Sequence, residues 1–220
     1  MLTTELATRC RRLIAVELDE RLCVQLRERF GAQQHVSIVH ADFLRYDLPT
    51  RTAFKVVGNI PYGLTAAIVR RLVDGVLPPE DAYLILQREA AERFAGSPFA
   101  TESLPSLLLK PWWQVEIVRR LRRSDFEPPP GVDSVVLWLA RRTRPLVKRS
   151  EAADYRKFIE GCFGQGGDTA ARCLRSAFTR KQIARLSGDL RFTSSAPPSA
   201  LSFDQWLGLF RFRALTDDMG

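Results

Sequence analysis

Apolar runs and helical stripes alternate along the first 140 residues. TTELATR (3–9) predicts a helix, with Thr3 or Thr4 as its cap. LIAVEL (13–18) is a short apolar run ending near Glu17 and predicts a buried parallel strand. DERLCVQLRERF (19–30) places Leu22, Leu26 and Phe30 at spacings of four, a helical stripe. VSIVHADFL (36–44), ending near Asp42, and FKVVGNI (54–60) repeat the strand pattern. TAAIVRRLVDG (65–75) predicts a helix stopped by Gly75. AYLILQ (82–87) predicts a fourth strand and REAAERFAG (88–96) another helix. VEIVRRL (115–121) and SVVLWLA (134–140) predict two more strands around the proline-rich loop SDFEPPPGVD (124–133).

This order predicts an α/β domain whose parallel sheet carries an antiparallel hairpin at one edge. After RRTRPLVKRS the pattern changes. EAADYRKFIEGCF (151–163), TAARCLRSAF (169–178) and SFDQWLGLFRFRAL (202–215) predict helices, with APPS (196–199) breaking the run. The expected organisation is an α/β domain over 1–145 and a small helical domain over 146–220. No internal repeat is present.

Hydrophobic residues make up 45% of the 220, enough for a packed core. No run approaches the roughly 20 apolar residues of a membrane span, and MLTTELATRCRR has no signal-peptide core. A cytoplasmic protein is expected. Cys10, Cys23, Cys162 and Cys173 form no CxxC pair and are expected to be free thiols in a reducing compartment. His35 and His40 have no Cys or carboxylate at ligand spacing, so no metal site is expected.

Charge sharpens the picture. The net charge is +8 and the pI is about 9.8, which favours an anionic partner, nucleic acid first. The cations cluster at RRLRR (119–123), RRTRPLVKR (141–149) and TRKQIAR (179–185). Such runs also fit a solvated face.

Glu17, Asp42 and Asn59 fall at the ends of successive predicted strands, where open α/β sheets line a ligand crevice. Carboxylates there can accept hydrogen bonds from ribose hydroxyls and from an adenine amine. They also fit helix caps. Asn59-Ile60-Pro61-Tyr62 is the most specific element. An exocyclic adenine nitrogen is a poor nucleophile because its lone pair is delocalised into the ring. An Asn oxygen and a backbone carbonyl can accept its two hydrogens and direct the lone pair toward an electrophilic methyl. Pro61 fixes the turn, and Tyr62 offers a flat face to a flipped base. A strand-ending turn with a core tyrosine fits the same four residues.

GNIPYGLTAAIVRRL (58–72), with AVELD (15–19) and HADFL (40–44), resembles the ribosomal RNA adenine N6-dimethyltransferase superfamily. The segments QREAAERFAG (87–96), SLLLKPWWQVEIVRRLRRSDFEPPPGVDSV (106–135) and FDQWLGLFRF (203–212) resemble its Erm branch. That branch methylates large-subunit ribosomal RNA and confers resistance to macrolide, lincosamide and streptogramin B antibiotics. The other branch is the small-subunit dimethyladenosine transferases. A catalytically silent RNA-binding remnant is the alternative from a different class.

The resemblance implies a Rossmann-like class I methyltransferase sheet with a small C-terminal helical domain, using S-adenosylmethionine. Glu17 would bind its ribose and Asp42 its adenine amine, with Leu2, Thr3, Leu18, Phe43 and Asn59 completing the cofactor contacts. Asn59 and the Ile60 or Pro61 carbonyl would hold the target N6. Tyr62 would stack on the target adenine, and Phe126 would cover its other face. Arg119, Arg120, Arg122, Arg123, Arg141, Arg142, Lys148, Arg149, Arg180 and Lys181 would grip RNA phosphates. The implied partner is 23S ribosomal RNA before full subunit assembly. A monomer is expected, with no membrane contact.

The family carries a strand and a glycine-rich loop, ending roughly G-x-G-x-L-T, before its first helix. This sequence opens Met1-Leu2-Thr3, so the match enters inside that motif. In the family's sheet that strand is central. Its absence would separate two neighbours by about 10 Å, twice the roughly 4.8 Å strand spacing, and leave both with unpaired inner edges. Met1 is therefore expected to be internal to a longer reading frame, or the chain to be a fragment. Weak cofactor affinity and poor stability are the expected consequences. Calorimetric titration with S-adenosylmethionine checks this: micromolar binding by the 220-residue chain, together with a cooperative melt, would contradict it.

Overall fold

The computed structural model describes residues 2–164 and 167–217. They divide into two compact units: one holds the residues up to Ala53 together with Ala66–Pro78, the other Phe54–Thr65 and the chain from Pro79 onward.

The first unit contains α1 (Leu2–Ala7), β1 (Leu13–Glu17), α2 (Glu20–Phe30), β2 (Val36–His40) and all but the first residue of α3 (Thr65–Val73). β1 and β2 run parallel, pairing Leu13 with Val36 and Glu17 with His40. Asp19 caps α2 by accepting from the Arg21 N–H. Ala7, Leu26 and Phe30 form the unit's small core, with Leu13, Val36 and Ile38 packed against it. The stripe of α2 differs from the predicted one. Cys23, Leu26 and Phe30 are buried, whereas Leu22 is 45% exposed. The 3.6-residue period turns position 22 off the face that 23, 26 and 30 share. β1 is half-buried throughout rather than buried, as befits a strand with a single ladder neighbour.

The second unit is built on β3 (Lys55–Asn59), β4 (Asp81–Gln87), β5 (Trp113–Leu121) and β6 (Ser134–Arg141). Their spatial order is β3-β4-β6-β5. β3 and β4 are parallel, and the two remaining pairings are antiparallel, which is the predicted edge hairpin. Period-two burial sets the register. Ala82, Leu84 and Leu86 pair with Leu139, Leu137 and Val135, and all six are buried. On the opposite face Tyr83 lies beside Trp138, ring centroids 6.4 Å apart, and Lys55 Nζ meets Asp81 at 2.6 Å. The strands thus form two sheets rather than one. Among the described residues β1 pairs only with β2, and β3 only with β4. Each keeps one edge without a ladder partner among the described residues.

The helices of this unit are α4 (Arg88–Ala95), α5 (Leu104–Leu109), α6 (Ala152–Gly164), α7 (Ala170–Cys173), α8 (Arg180–Asp189) and α9 (Phe203–Asp217). The helix predicted over 169–178 is shorter: α7 passes into a 3-10 turn at Leu174–Ser176. α5 and α8 are additional. α8 starts at a Thr179–Gln182 capping box inside the run otherwise notable only for its charge. The strand predicted over 36–44 stops at His40, because Asp42 opens a turn, its side chain accepting from the Leu44 N–H at 2.8 Å.

One core runs from α5 into the C-terminal helices. Leu107 is buried with Tyr155, Phe158, Leu174, Trp206 and Phe210. Tyr155 donates its hydroxyl to the Leu107 carbonyl at 2.9 Å and meets Trp112 and Phe210 edge-on, at 5.9 and 5.0 Å. Burial, then the nearby Glu102 charge, raises its pKa. The four cysteines are free. Burial, then neighbouring Cys173, pushes the Cys162 thiol up to about 12, so it stays protonated and inert.

A buried charge pair supports the start of this core. Lys110 Nζ lies 2.5 Å from Glu102 Oε1 and 3.1 Å from the Ser97 carbonyl. Ser106 donates to Glu102 Oε2 at 2.6 Å. The two charged side chains are 9% and 1% exposed. Gly96 ends α4 at a φ of 58°, where a Cβ would run into the Glu102 carboxylate, so glycine serves both the turn and the close approach. Lys110→Met strands a buried carboxylate and is expected to cost about 3–5 kcal/mol. Urea unfolding checks it against Glu102→Gln and the double variant. The double should cost clearly less than the two singles added together, and simple additivity would show the pair to be uncoupled.

Candidate active site

The first unit brings Glu17 and Asp42 to the same end of its parallel pair. Glu17 is the last residue of β1 and sits in register with His40; Asp42 follows two residues later. Glu17 Oε1 accepts from the backbone N–H groups of Leu18 at 2.8 Å and Asp19 at 3.0 Å. Its Oε2 accepts no hydrogen bond among the described residues. Asp42 Oδ1 holds the Leu44 N–H, and Oδ2 lies 4.0 Å from Arg45 Nε. Both residues are half-buried. Leu18 is 65% exposed, and His40 Nε2 hydrogen-bonds its carbonyl at 2.9 Å. His35 likewise bonds the Ala7 carbonyl at 2.8 Å. Phe43 is half-buried. Leu2 and Thr3 occupy the first turn of α1, Leu2 exposed and Thr3 half-buried.

The second unit presents Asn59-Ile60-Pro61-Tyr62 as a rim. Asn59 is exposed at the end of β3, in register with Ile85. The Ile60 N–H extends the ladder one step by donating to the Ile85 carbonyl at 3.0 Å, and the Ile60 side chain is buried. That burial anchors the turn, so the residues around it can face outward. Pro61 adopts φ −57° and ψ 130° and leads into a 3-10 turn over Tyr62–Leu64. Its carbonyl accepts from the Leu64 N–H at 2.9 Å. Tyr62 is 44% exposed rather than packed in the core, and Thr65 Oγ1 donates to its carbonyl at 3.2 Å. Phe126 is half-buried in extended backbone, its N–H on the Arg123 carbonyl at 3.3 Å.

Arg119, Arg120, Arg122, Arg123, Arg141, Lys148, Arg149, Arg180 and Lys181 are exposed. Arg142 differs: it is half-buried, and its Nε donates to the Lys110 carbonyl at 2.9 Å. It braces the buried charge pair. Sequence reasoning passed over the cluster of Arg88, Arg123 and Asp133, whose Asp133 carboxylate lies 3.6 Å from Arg88 and 3.5 Å from Arg123. The available signal was position: Arg88 follows directly on the end of a predicted strand, where chemistry collects. Among the described residues no group of three or more His, Cys, Asp or Glu could hold a metal. No helix among them is long and apolar enough to cross a membrane.

Comparison with known proteins bears on the chain and its fold as a whole. The chain is 33% identical over 96% of its length to an rRNA adenine N-6-methyltransferase of Saccharopolyspora erythraea, and it spans 54% of that relative, about half its length. It is 32% identical over 96% of its length to the ribosomal RNA small subunit methyltransferase A of Geobacter metallireducens, spanning 80% of it. Its fold matches the crystal structure of the 23S rRNA methyltransferase ErmE with a TM-score of 0.88, at 31% identity, covering 96% of this chain and 85% of that one. The mixed α/β fold with C-terminal helices is therefore that of the methyltransferase. The profile of the ribosomal RNA adenine dimethylases matches residues 1–214, so the chain belongs to the ribosomal RNA adenine dimethylase family.

Proposed function

We propose that the chain transfers methyl groups from S-adenosylmethionine to N6 of an adenine in 23S ribosomal RNA, and so confers macrolide, lincosamide and streptogramin B resistance. The observation that carries this reading is the rim at the end of β3, where the exposed Asn59 amide and Tyr62 ring flank the anchored Ile60. The Asn59 side-chain oxygen accepts one hydrogen of the target amine. The Ile60 or Pro61 carbonyl accepts the other; the Pro61 carbonyl also holds the Leu64 N–H, which leaves it one lone pair. Two fixed acceptors direct the amine's lone pair and stabilise the positive charge that develops on nitrogen. Tyr62 stacks on one face of the flipped base and Phe126 on the other.

The donor set of the first unit fits the cofactor. Glu17 keeps an acceptor oxygen for ribose hydroxyls, and half-buried Asp42 one for an adenine amine. Leu2, Thr3, Leu18 and Phe43 complete the surroundings. When bound, S-adenosylmethionine supplies an already activated methyl group, so no strong general base is required of the protein. The exposed arginines and lysines hold RNA phosphates, with residues 146–220 acting as the RNA-gripping domain and 1–145 as the transfer domain. The protein works as a monomer in the cytoplasm, on RNA not yet packed into a full subunit.

The likeness to the Geobacter enzyme favours a second reading, methylation of small-subunit RNA. The ErmE match supports the first. Incubating purified 16S and 23S RNAs with labelled donor separates them. Label is expected in 23S RNA alone; label in 16S RNA would favour the second reading, and RNA binding without label would leave a silent RNA-binding protein. In the same assay Asn59→Ala should lower kcat by roughly 10²–10³-fold with cofactor binding little changed. Collapse of cofactor binding instead would make Asn59 chiefly a cofactor contact rather than an acceptor for the target amine. Tyr62→Ala should lose roughly 5- to 150-fold, the value of one base–aromatic stack, while Tyr62→Phe keeps most activity. Equal losses would argue against stacking.

A further inference from the structure

The loop that carries Phe126 joins β5 to β6 and spans residues 122–133. Its last ladder pair is Leu121 with Ser134. Beyond that pair, regular hydrogen bonding is sparse. Asp125 closes a short turn on Arg122 through its N–H at 3.0 Å and its side chain at 2.8 Å, and six of the nine residues 124–132 are exposed. Pro128, Pro129 and Pro130 stiffen the middle of the loop, but few hydrogen bonds fix its direction, and so the angle of its aromatic ring, relative to the sheet.

One carboxylate supplies the missing constraint. Asp133, the last loop residue, lies 3.5 Å from the Arg123 guanidinium near the loop's other end, so it ties the two ends together. It also lies 3.6 Å from Arg88, the first residue of α4, which in turn meets Glu92 at 3.7 Å. The Arg88 N–H donates to the Asp133 carbonyl at 2.9 Å. An alternating chain, Arg123–Asp133–Arg88–Glu92, therefore runs from the loop to the helix that continues β4. A cleft of about 220 Å³ lies against it, lined by Gln87, Arg88, Arg123, Gly131 and Asp133 among others.

The place where this chain docks gives it meaning. Three residues before Arg88, the Ile85 carbonyl holds the Ile60 N–H and so positions the Asn59–Tyr62 rim. One strand end, residues 85–88, thus references both the rim and the Phe126 loop. We infer that Asp133 is a positioning residue for methyl transfer: its carboxylate locks the Phe126 loop to the strand end that holds the NIPY rim, setting the second stacking face for the target base. This rests on the transfer reading given above. The pairs are 43–59% exposed, and such pairs add little to global stability. Their effect is local, on the angle and dwell time of one loop.

The test compares the wild-type chain with Asp133→Asn and Asp133→Glu. In Asp133→Asn, hydrogen exchange of the 124–132 amides should quicken by roughly 10-fold while the β4–β6 ladder stays protected, and the melting temperature should move by less than about 2 °C. On ribosomal RNA, kcat should fall about 10-fold with KM within about 3-fold, the signature of a misplaced group rather than a lost binding contact. Asp133→Glu keeps the charge and should restore most of both readouts. Unchanged exchange in Asp133→Asn overturns the inference whatever the activity. So does a looser loop with unaltered kcat, or a lowered KM, which would make Asp133 a mask over two phosphate-binding arginines. If the wild-type chain labels no RNA, the transfer reading fails by itself, and the exchange measurement still decides whether Asp133 holds the loop.

Discussion

The parallel register between β3 and β4, carried one residue past its formal end, is the constraint on which the candidate site depends. The Ile60 N–H on the Ile85 carbonyl makes the step after Asn59 a ladder position rather than a free turn. Burying the Ile60 side chain fixes that step from below. Asn59 and Tyr62, on either side, are then exposed because the residue between them has taken the inward place. Pro61 completes the device: it lacks an N–H, so the turn leaves no orphaned donor at that position. Were the bond or the buried isoleucine lost, the amide and the ring would share no common reference. The chemistry proposed for the rim demands that the acceptors be aimed before the base arrives.

The same logic of few, well-placed anchors governs the rest of the second unit. The C-terminal helices carry many exposed cations, yet their attachment is apolar and aromatic: Tyr155, Phe158, Trp206 and Phe210 close on Leu107. The buried charges of Glu102 and Lys110 sit where α5 begins and ends, with Arg142 bracing the Lys110 carbonyl. A buried pair of this kind is a weak source of net stability but a strong filter on geometry, because any arrangement that separates the partners strands a charge. It therefore specifies how the segment after α4 returns to the sheet.

Most strands were legible because period-two and continuous apolar patterns leave little freedom. LIAVE, KVVGN, AYLILQ and SVVLWLA are all strands where expected. The Asn-Ile-Pro-Tyr rim was legible because chemistry and turn geometry demand the same four residues. What escaped did so for identifiable reasons. α8 is masked by its charge: Thr179 and Gln182 form a capping box, but the intervening arginine and lysine equally fit an RNA-binding run. α5 is only six residues long and starts beside a proline, too short for a helical period to show. Spacings of four place Leu22 on the helical stripe, but 3.6 residues per turn favours the 23–26–30 set. The Asp133 cluster is legible only in part: Arg88 stands at a predicted strand end, but residues 123 and 133 reach it through strand pairing that no local pattern reveals.

Glu17 and Asp42 show why a cap-like contact and a binding role are compatible. A carboxylate after a strand can serve the following backbone or a ligand, and these looked like rival readings. In the structure each carboxylate gives one oxygen to the backbone: Glu17 Oε1 takes two N–H groups, and Asp42 Oδ1 takes one, while Asp42 Oδ2 keeps only a 4.0 Å approach to exposed Arg45. An ionised carboxylate offers about four acceptor sites on two oxygens. Holding one oxygen against the backbone removes the rotamer freedom that a ligand would otherwise have to freeze, a cost of up to about 2 kcal/mol for a glutamate. The local bonds therefore leave the second oxygen with acceptor capacity rather than compete for it. The residue type suited to closing the turn is also the type suited to receiving a hydroxyl or an amine, which is why a cap-like contact at a strand end is no argument against a binding role.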